Sequence, residues 1–169
     1  MRRSTGDLRR VAEQAAASAE VTHTHPEGVA GAVAVAVATA LASTRPRVEG
    51  AAWLREVADH VAPGLVRDGI GNAIALLPLD DARSAAASLG NGREISAQDT
   101  VPLCLWVVAK HPDDFAEAFW ATASAGGDID TTCAIVGGIL GARLGLEGVP
   151  GQWLRRCEAL PDWAGVDGR

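Results

Sequence analysis

The chain has 169 residues and a formal net charge of −6, with 48% hydrophobic residues but only 4% aromatics. That length allows one domain with a core of its own, read here as residues 1–169, and the acidic balance, without any run of Lys or Arg, argues against a nucleic-acid partner. Cys104, Cys133 and Cys157 form no CxxC pair and no Cys/His cluster, which argues against a disulfide framework or a structural zinc site and makes the reducing cytoplasm the expected compartment.

The opening "MRRSTGDLRRVAEQ" has basic residues with no apolar stretch behind them, so it does not read as a signal peptide. Residues 7–20 predict a helix, because Leu8, Val11, Ala12, Ala15 and Ala19 recur at steps of three and four. "VTHTHPEG" follows as a polar turn whose Pro26 suits the first turn of a helix. Over 27–42, Val33, Val35 and Val37 alternate with Ala, a strand's period. The alternation is apolar with apolar, however, and the run is too long for an ordinary strand. It predicts a helix buried on nearly all sides. The apolar stretch 28–42 is shorter than the roughly 20 residues that cross a bilayer, so no membrane partner is expected.

"RPRVEG" at 45–50 is a connector, and 51–61 predicts a helix ended by Pro63-Gly64. The pattern weakens over 67–79. Residues 80–88 predict a short helix, stopped by the glycine-bearing turn "LGNGRE". Residues 98–110 predict an apolar helix, and Pro112 opens the next one, whose Asp113/Asp114 pair in the first turn suits the positive end of the helix dipole. A last long helix is expected over 129–143 and a short one near 150–158. Ala supplies much of the apolar content and favours helices that approach closely. With no internal repeat or heptad, the expected class is all-α.

The densest polar chemistry is "SAGGDIDTT", 124–132, directly before the small-residue segment "CAIVGGILGARLG". Mid-helix, residues two apart point about 200° away from each other. At a helix entrance, with Gly126 and Gly127 freeing the backbone, Asp128, Asp130 and the Thr131 hydroxyl can converge on one point. Hard oxygen donors grouped this way suit Mg²⁺, Mn²⁺ or Ca²⁺. The bland alternative is that Asp128 or Asp130 caps the helix and Thr131 merely starts it. The same residues fit D-x-D-x-T, which resembles the nucleophile motif of haloacid-dehalogenase-type phosphatases. "TASAGG" in front is not the apolar strand that delivers such an Asp, so that reading is rejected. His23 and His25 form the second polar concentration, in the turn before the buried helix.

Four stretches in order, "AEVTHTHPEGVAGAVAVAVATALA", "SLGNGREISAQDTVPLCLWVVAK", "FAEAFWATASAGGDIDTTCAIVGGILGARLG" and "VPGQWLRR", resemble the ADP-ribosylglycohydrolase family. The third is the most specific, since G-G-D-x-D-T before a small-residue helix is that family's C-terminal metal motif. The resemblance implies a compact orthogonal helical bundle with two Mg²⁺ ions (Mn²⁺ being the alternative) at its centre. It implies metal ligation by Asp128, Asp130 and Thr131, and substrate contact near His23, Gly28 and Gly127, with Gly28 and Gly31 permitting close approach. The implied substrate is ADP-ribosylated protein or a small ADP-ribosyl compound, cleaved at the glycosidic bond.

The family's T-D-D-T-like motif and G-D-x-x-G-like segment have no counterpart here. The expectation is therefore a C-terminal portion of the fold, lacking the N-terminal helices, with the other half of the metal site supplied from elsewhere or by an oligomer. The competing expectation is a non-catalytic helical remnant that binds ADP-ribose, a nucleotide or a partner.

Overall fold

The alanine-rich segments fold as helices in this computed structural model, which describes residues 7–158. Among the described residues the elements are α1 (Leu8–Glu20), α2 (Pro26–Thr44), α3 (Gly50–Asp59), α4 (Leu65–Ala75), α5 (Ala82–Leu89), α6 (Ala97–Lys110), α7 (Phe115–Ser124), α8 (Ile129–Leu144), a 3-10 turn (Leu146–Gly148) and α9 (Gly151–Leu154). No strand occurs among them. The all-α class is therefore met.

Helix α6 is the hub. Every residue from Thr100 to Ala109 is buried, and α2, α3, α4, α5, α7 and α8 all pack on it. A helix that is apolar all round belongs in a core, and "TVPLCLWVVA" is such a sequence. Trp106 is fully buried, with its indole N–H donating to the Leu76 carbonyl at 3.0 Å. Lys110 donates to the Leu77 carbonyl at 3.2 Å, so α6 ties down the chain leaving α4. Pro102 fits inside α6 because Gly69 faces it: a Cβ on Gly69 would lie 2.5 Å from the proline ring.

Four expectations need correction. Over 67–79, where the pattern seems to weaken, α4 runs through Ala75 and buries Val66, Ile70 and Ala73. Its glycines dilute the apolar signal, and at Gly69 the reason is a neighbour distant in sequence. Pro112 does not open α7. That helix starts at Phe115, with Asp114 as its N-cap accepting the Glu117 N–H at 2.9 Å, while Asp113 pairs with Arg143. The terminal helix is one short turn, Gly151–Leu154, instead of 150–158. Helix α2 is not buried on nearly all sides, because Ala32, Val35 and Ala36 remain half-exposed and line a cleft. At 19 residues α2 is long and apolar enough to cross a membrane by length and composition. Its packing against α1, α8 and α6 accounts for that composition.

Arg143, in the last turn of α8, joins three parts of the bundle. Its guanidinium donates to the carbonyls of Ala42 and Arg45 at the end of α2 (3.1 and 3.0 Å), to Pro46 (3.4 Å), to Pro112 between α6 and α7 (3.0 Å), and to the Asp113 carboxylate (2.7 Å). On the outer face Phe115, Phe119 and Trp120 of α7 meet Trp153 of α9 edge to face, the arrangement that aromatic quadrupoles prefer.

Candidate functional site

The turn before α2 ends in a histidine cap. His25 Nδ1 accepts the Glu27 N–H at 3.2 Å, and Pro26 occupies the first helical position. Glu27 itself reaches across to α4, where its two carboxylate oxygens accept the N–H groups of Leu65 and Val66, both at 2.8 Å. An acidic group at a helix start satisfies unpaired donors and complements the dipole, so the entrances of α2 and α4 are held together. His23 Nδ1 is hydrogen-bonded with the Thr22 hydroxyl at 2.8 Å. Its ring lies over Gly28, where a Cβ would come 3.1 Å from His23 Cδ2. Gly31 admits the start of α6 in the same way, at 2.7 Å from the Ala97 Cβ.

Two glycine loops face this turn. Between α5 and α6, Gly90 and Gly92 have positive φ (80° and 84°). Asp99 gathers the loop around itself, its carbonyl accepting the Gly92 N–H and its carboxylate the Glu94 N–H, both at 2.8 Å. Between α7 and α8, Gly126 and Gly127 also have positive φ (69° and 74°). Asn91 fastens the two loops to each other. Its side-chain amide donates to the Ala125 carbonyl at 3.0 Å, and its own carbonyl accepts the Asp128 N–H at 2.9 Å. A Cβ on Gly127 would overlap Asn91, and one on Gly92 would lie 2.7 Å from the Asp128 Cβ.

Asp128 is the N-cap of α8, accepting the Thr131 N–H at 3.2 Å. Hydrogen bonds from the Thr131 side chain and backbone hold its carboxyl below the usual carboxylate range, and Asp130 adds to the effect. The group stays ionised. Thr132 is a structural neighbour: its hydroxyl donates back to the Asp128 carbonyl at 2.8 Å and its side chain is buried.

Together α2, α8 and the α5–α6 loop enclose a cleft of about 840 Å³. His23, His25, Gly28, Asp128 and Thr131 line it alongside Val35, Ile95 and Ile135. Four residues singled out from the sequence, His23, Gly28, Asp128 and Thr131, therefore meet at one opening. Asp130 is exposed in the first turn of α8, beside Asp128 but outside that lining. Gly127 also lies outside it, turned against Asn91.

Asp128 and Thr131 present an ionised carboxylate and a hydroxyl to the cleft, with the Asp130 carboxylate beside Asp128 but outside the lining. That chemistry suits a hard divalent cation approached from one side. Among the described residues no three His, Cys, Asp or Glu side chains group to hold a metal ion. The remaining positions around such a cation would fall to water, substrate oxygens or groups from elsewhere.

In the sequence "LGNGRE" reads as a turn inside the second family-like stretch, with no site role of its own. Ile95 lines the cleft and Asn91 fastens the loops behind it, and the signal lies in a second glycine pair set before an apolar helix, as Gly126-Gly127 is.

A protein-family model described as ADP-ribosylglycohydrolase matches residues 2–167 of the chain. The mouse (Mus musculus) protein ADP-ribosylhydrolase ARH3 is 31% identical over 86 residues, covering 45% of this chain and 23% of that relative. The matched region thus spans less than a quarter of the relative's length. No solved structure matches.

Proposed function

The chain belongs to the ADP-ribosylglycohydrolase family, and from that premise we propose that the cleft binds an ADP-ribosyl compound for hydrolysis of its N- or O-glycosidic bond. The observation that carries this reading is convergence. His23 and Gly28 from the entrance of α2 face the same opening as Asp128 and Thr131 from the entrance of α8, although about 100 residues of chain separate the two segments. Ligand pockets are concave, largely apolar and furnished with a few converging polar groups, which describes this cleft.

The residues divide the work as follows. Asp128 is kept ionised by Thr131 and presents oxygen acceptors to ribose hydroxyls or to a cation. The Thr131 hydroxyl extends the oxygen face within the cleft, and Asp130, two residues beyond Asp128, would have to turn toward it to take part. Bound there, Mg²⁺ (Mn²⁺ being the alternative) would orient the ribose hydroxyls and a water and polarise the oxygens it binds. With Nδ1 of His23 engaged by Thr22, Nε2 is the ring nitrogen left for a ligand oxygen. The wall formed by Val35, Ala36 and Ile135 keeps water from one side of the ligand. The substrates that fit this chemistry are an ADP-ribosylated protein or a small ADP-ribosyl compound.

A second reading, a domain that binds ADP-ribose without turnover, draws on the donor count, since no three His, Cys, Asp or Glu side chains group together among the described residues. Calorimetry with ADP-ribose and millimolar Mg²⁺ tests what both readings share. Wild type binds, and His23→Ala binds roughly tenfold more weakly for the loss of one hydrogen bond in a partly desolvated site. Absence of binding in wild type would overturn both. Release of ADP-ribose from an ADP-ribosylated arginine substrate then distinguishes the hydrolase from the binder.

A further inference from the structure

A second hollow, of about 740 Å³, opens beside the cleft. Val29 and Val33 of α2 line it together with Ala12 and Ala16 of α1 and with His60 and Ala62 of the turn between α3 and α4. It is an apolar trough between helices, with room for about two turns of a further helix roughly 10 Å across. Val21, the residue after α1, and Leu65, just past Ala62, are 83% and 59% exposed. Apolar surface gathered in this way marks a place where another polypeptide packs.

The charges along α1 identify that polypeptide. Arg9, Glu13, Ala16 and Glu20 follow one another at steps of three and four, so they form one stripe of the helix. Glu13, Ala16 and Glu20 line the trough. The stripe is basic at its start and acidic at its end, the reverse of what the helix dipole favours. Arg9 meets Glu13 at 3.0 Å with both side chains exposed, whereas Glu20 has no ion pair among the described residues. A copy of α1 laid antiparallel along the stripe resolves the conflict. Each Arg9 then faces Glu20 of the partner subunit at the negative end of the partner's helix, and two-fold symmetry makes that contact twice. A parallel copy would set like charge against like. The guanidinium carries five N–H donors, enough for Glu13 and for Glu20 of the partner subunit together. We propose that the trough seats a second copy of this chain, joined through antiparallel α1 helices by reciprocal Arg9–Glu20 pairs. His23 lines the trough as well as the ligand cleft, so the second copy covers one side of an imidazole that faces the cleft. The pairing does not depend on what the cleft binds.

Sedimentation velocity between about 1 and 100 µM tests the pairing. Wild type forms a dimer within that range. Arg9→Glu or Glu20→Arg turns both attractions into repulsions and weakens dimerisation roughly tenfold or more. Mixed in equal amounts, the two variants pair with each other, since each carries the charge that the other then needs. That recovery requires two folded chains, so it separates lost pairing from lost folding. A wild type that stays monomeric across the range would overturn the proposal and leave the trough to a different polypeptide. A dimer that either reversal leaves intact would overturn it as well, as would variants that do not pair when mixed.

Discussion

Arg143→Ala is expected to destabilise the folded chain by about 2–4 kcal/mol, from several hydrogen bonds to a charged donor lost together at roughly 1 kcal/mol each. Its side chain is only 8% exposed while that of Asp113 is 71% exposed. The ion pair is therefore mostly screened by solvent and contributes little. The larger share lies in the carbonyls of Ala42, Arg45, Pro46 and Pro112, which converge on the guanidinium from the end of α2 and the α6–α7 turn. Truncation leaves the part-buried carbonyls of Ala42 and Pro112 without their donor, and an unpaired acceptor out of reach of water is costly, while those of Arg45 and Pro46 turn to solvent. Arg143→Lys is expected to recover less than half of the loss, because one ammonium cannot span donors arranged as a fork. Chemical denaturation reads both variants. A loss under about 1 kcal/mol for Arg143→Ala would show that water replaces the clamp.

The second large effect is expected at Gly127. Its φ of 74° is strained for any residue with a Cβ, and that Cβ would overlap the Asn91 carbonyl and side chain. Gly126 provides an internal control, with a φ of 69° but open space around its Cβ position. Gly126→Ala should therefore cost only the backbone strain, about 1–2 kcal/mol. Gly127→Ala should cost clearly more, and it should abolish measurable ADP-ribose binding by prying the α8 entrance from the α5–α6 loop. Equal stability losses in the two variants would mean that the Asn91 contact yields freely, and that the loops need not be fastened together.

The helices were legible where the signal is local. Helix α6 is apolar on every side and sits at the hub, and Asp128 caps α8 from a position that any capping rule would choose. The fold was illegible where the reason for a residue lies far along the chain. Gly69 weakens the pattern of α4 because it makes room for Pro102, and Arg143 reads as an ordinary basic residue near a helix end until four distant carbonyls surround it. The site shows the same division. The two acids and the threonine after Gly127 announce oxygen chemistry by themselves. That "LGNGRE" braces the entrance of α8 depends on Asn91 meeting Ala125 and Asp128, a pairing that no window along the sequence contains.

Capping and metal binding make different demands on Asp128, and one substitution separates them. Asn caps helices as well as Asp does, so Asp128→Asn keeps the start of α8 while removing the charge that a cation needs. The decisive measurement is the melting temperature of wild type and Asp128→Asn with and without millimolar Mg²⁺. A metal site predicts similar melting temperatures in the absence of metal, with Mg²⁺ raising wild type by about 3 °C or more and leaving the variant unmoved. A wild type that does not respond to Mg²⁺, or a variant that responds equally, would contradict the assignment of Asp128 as a ligand and leave it a helix cap.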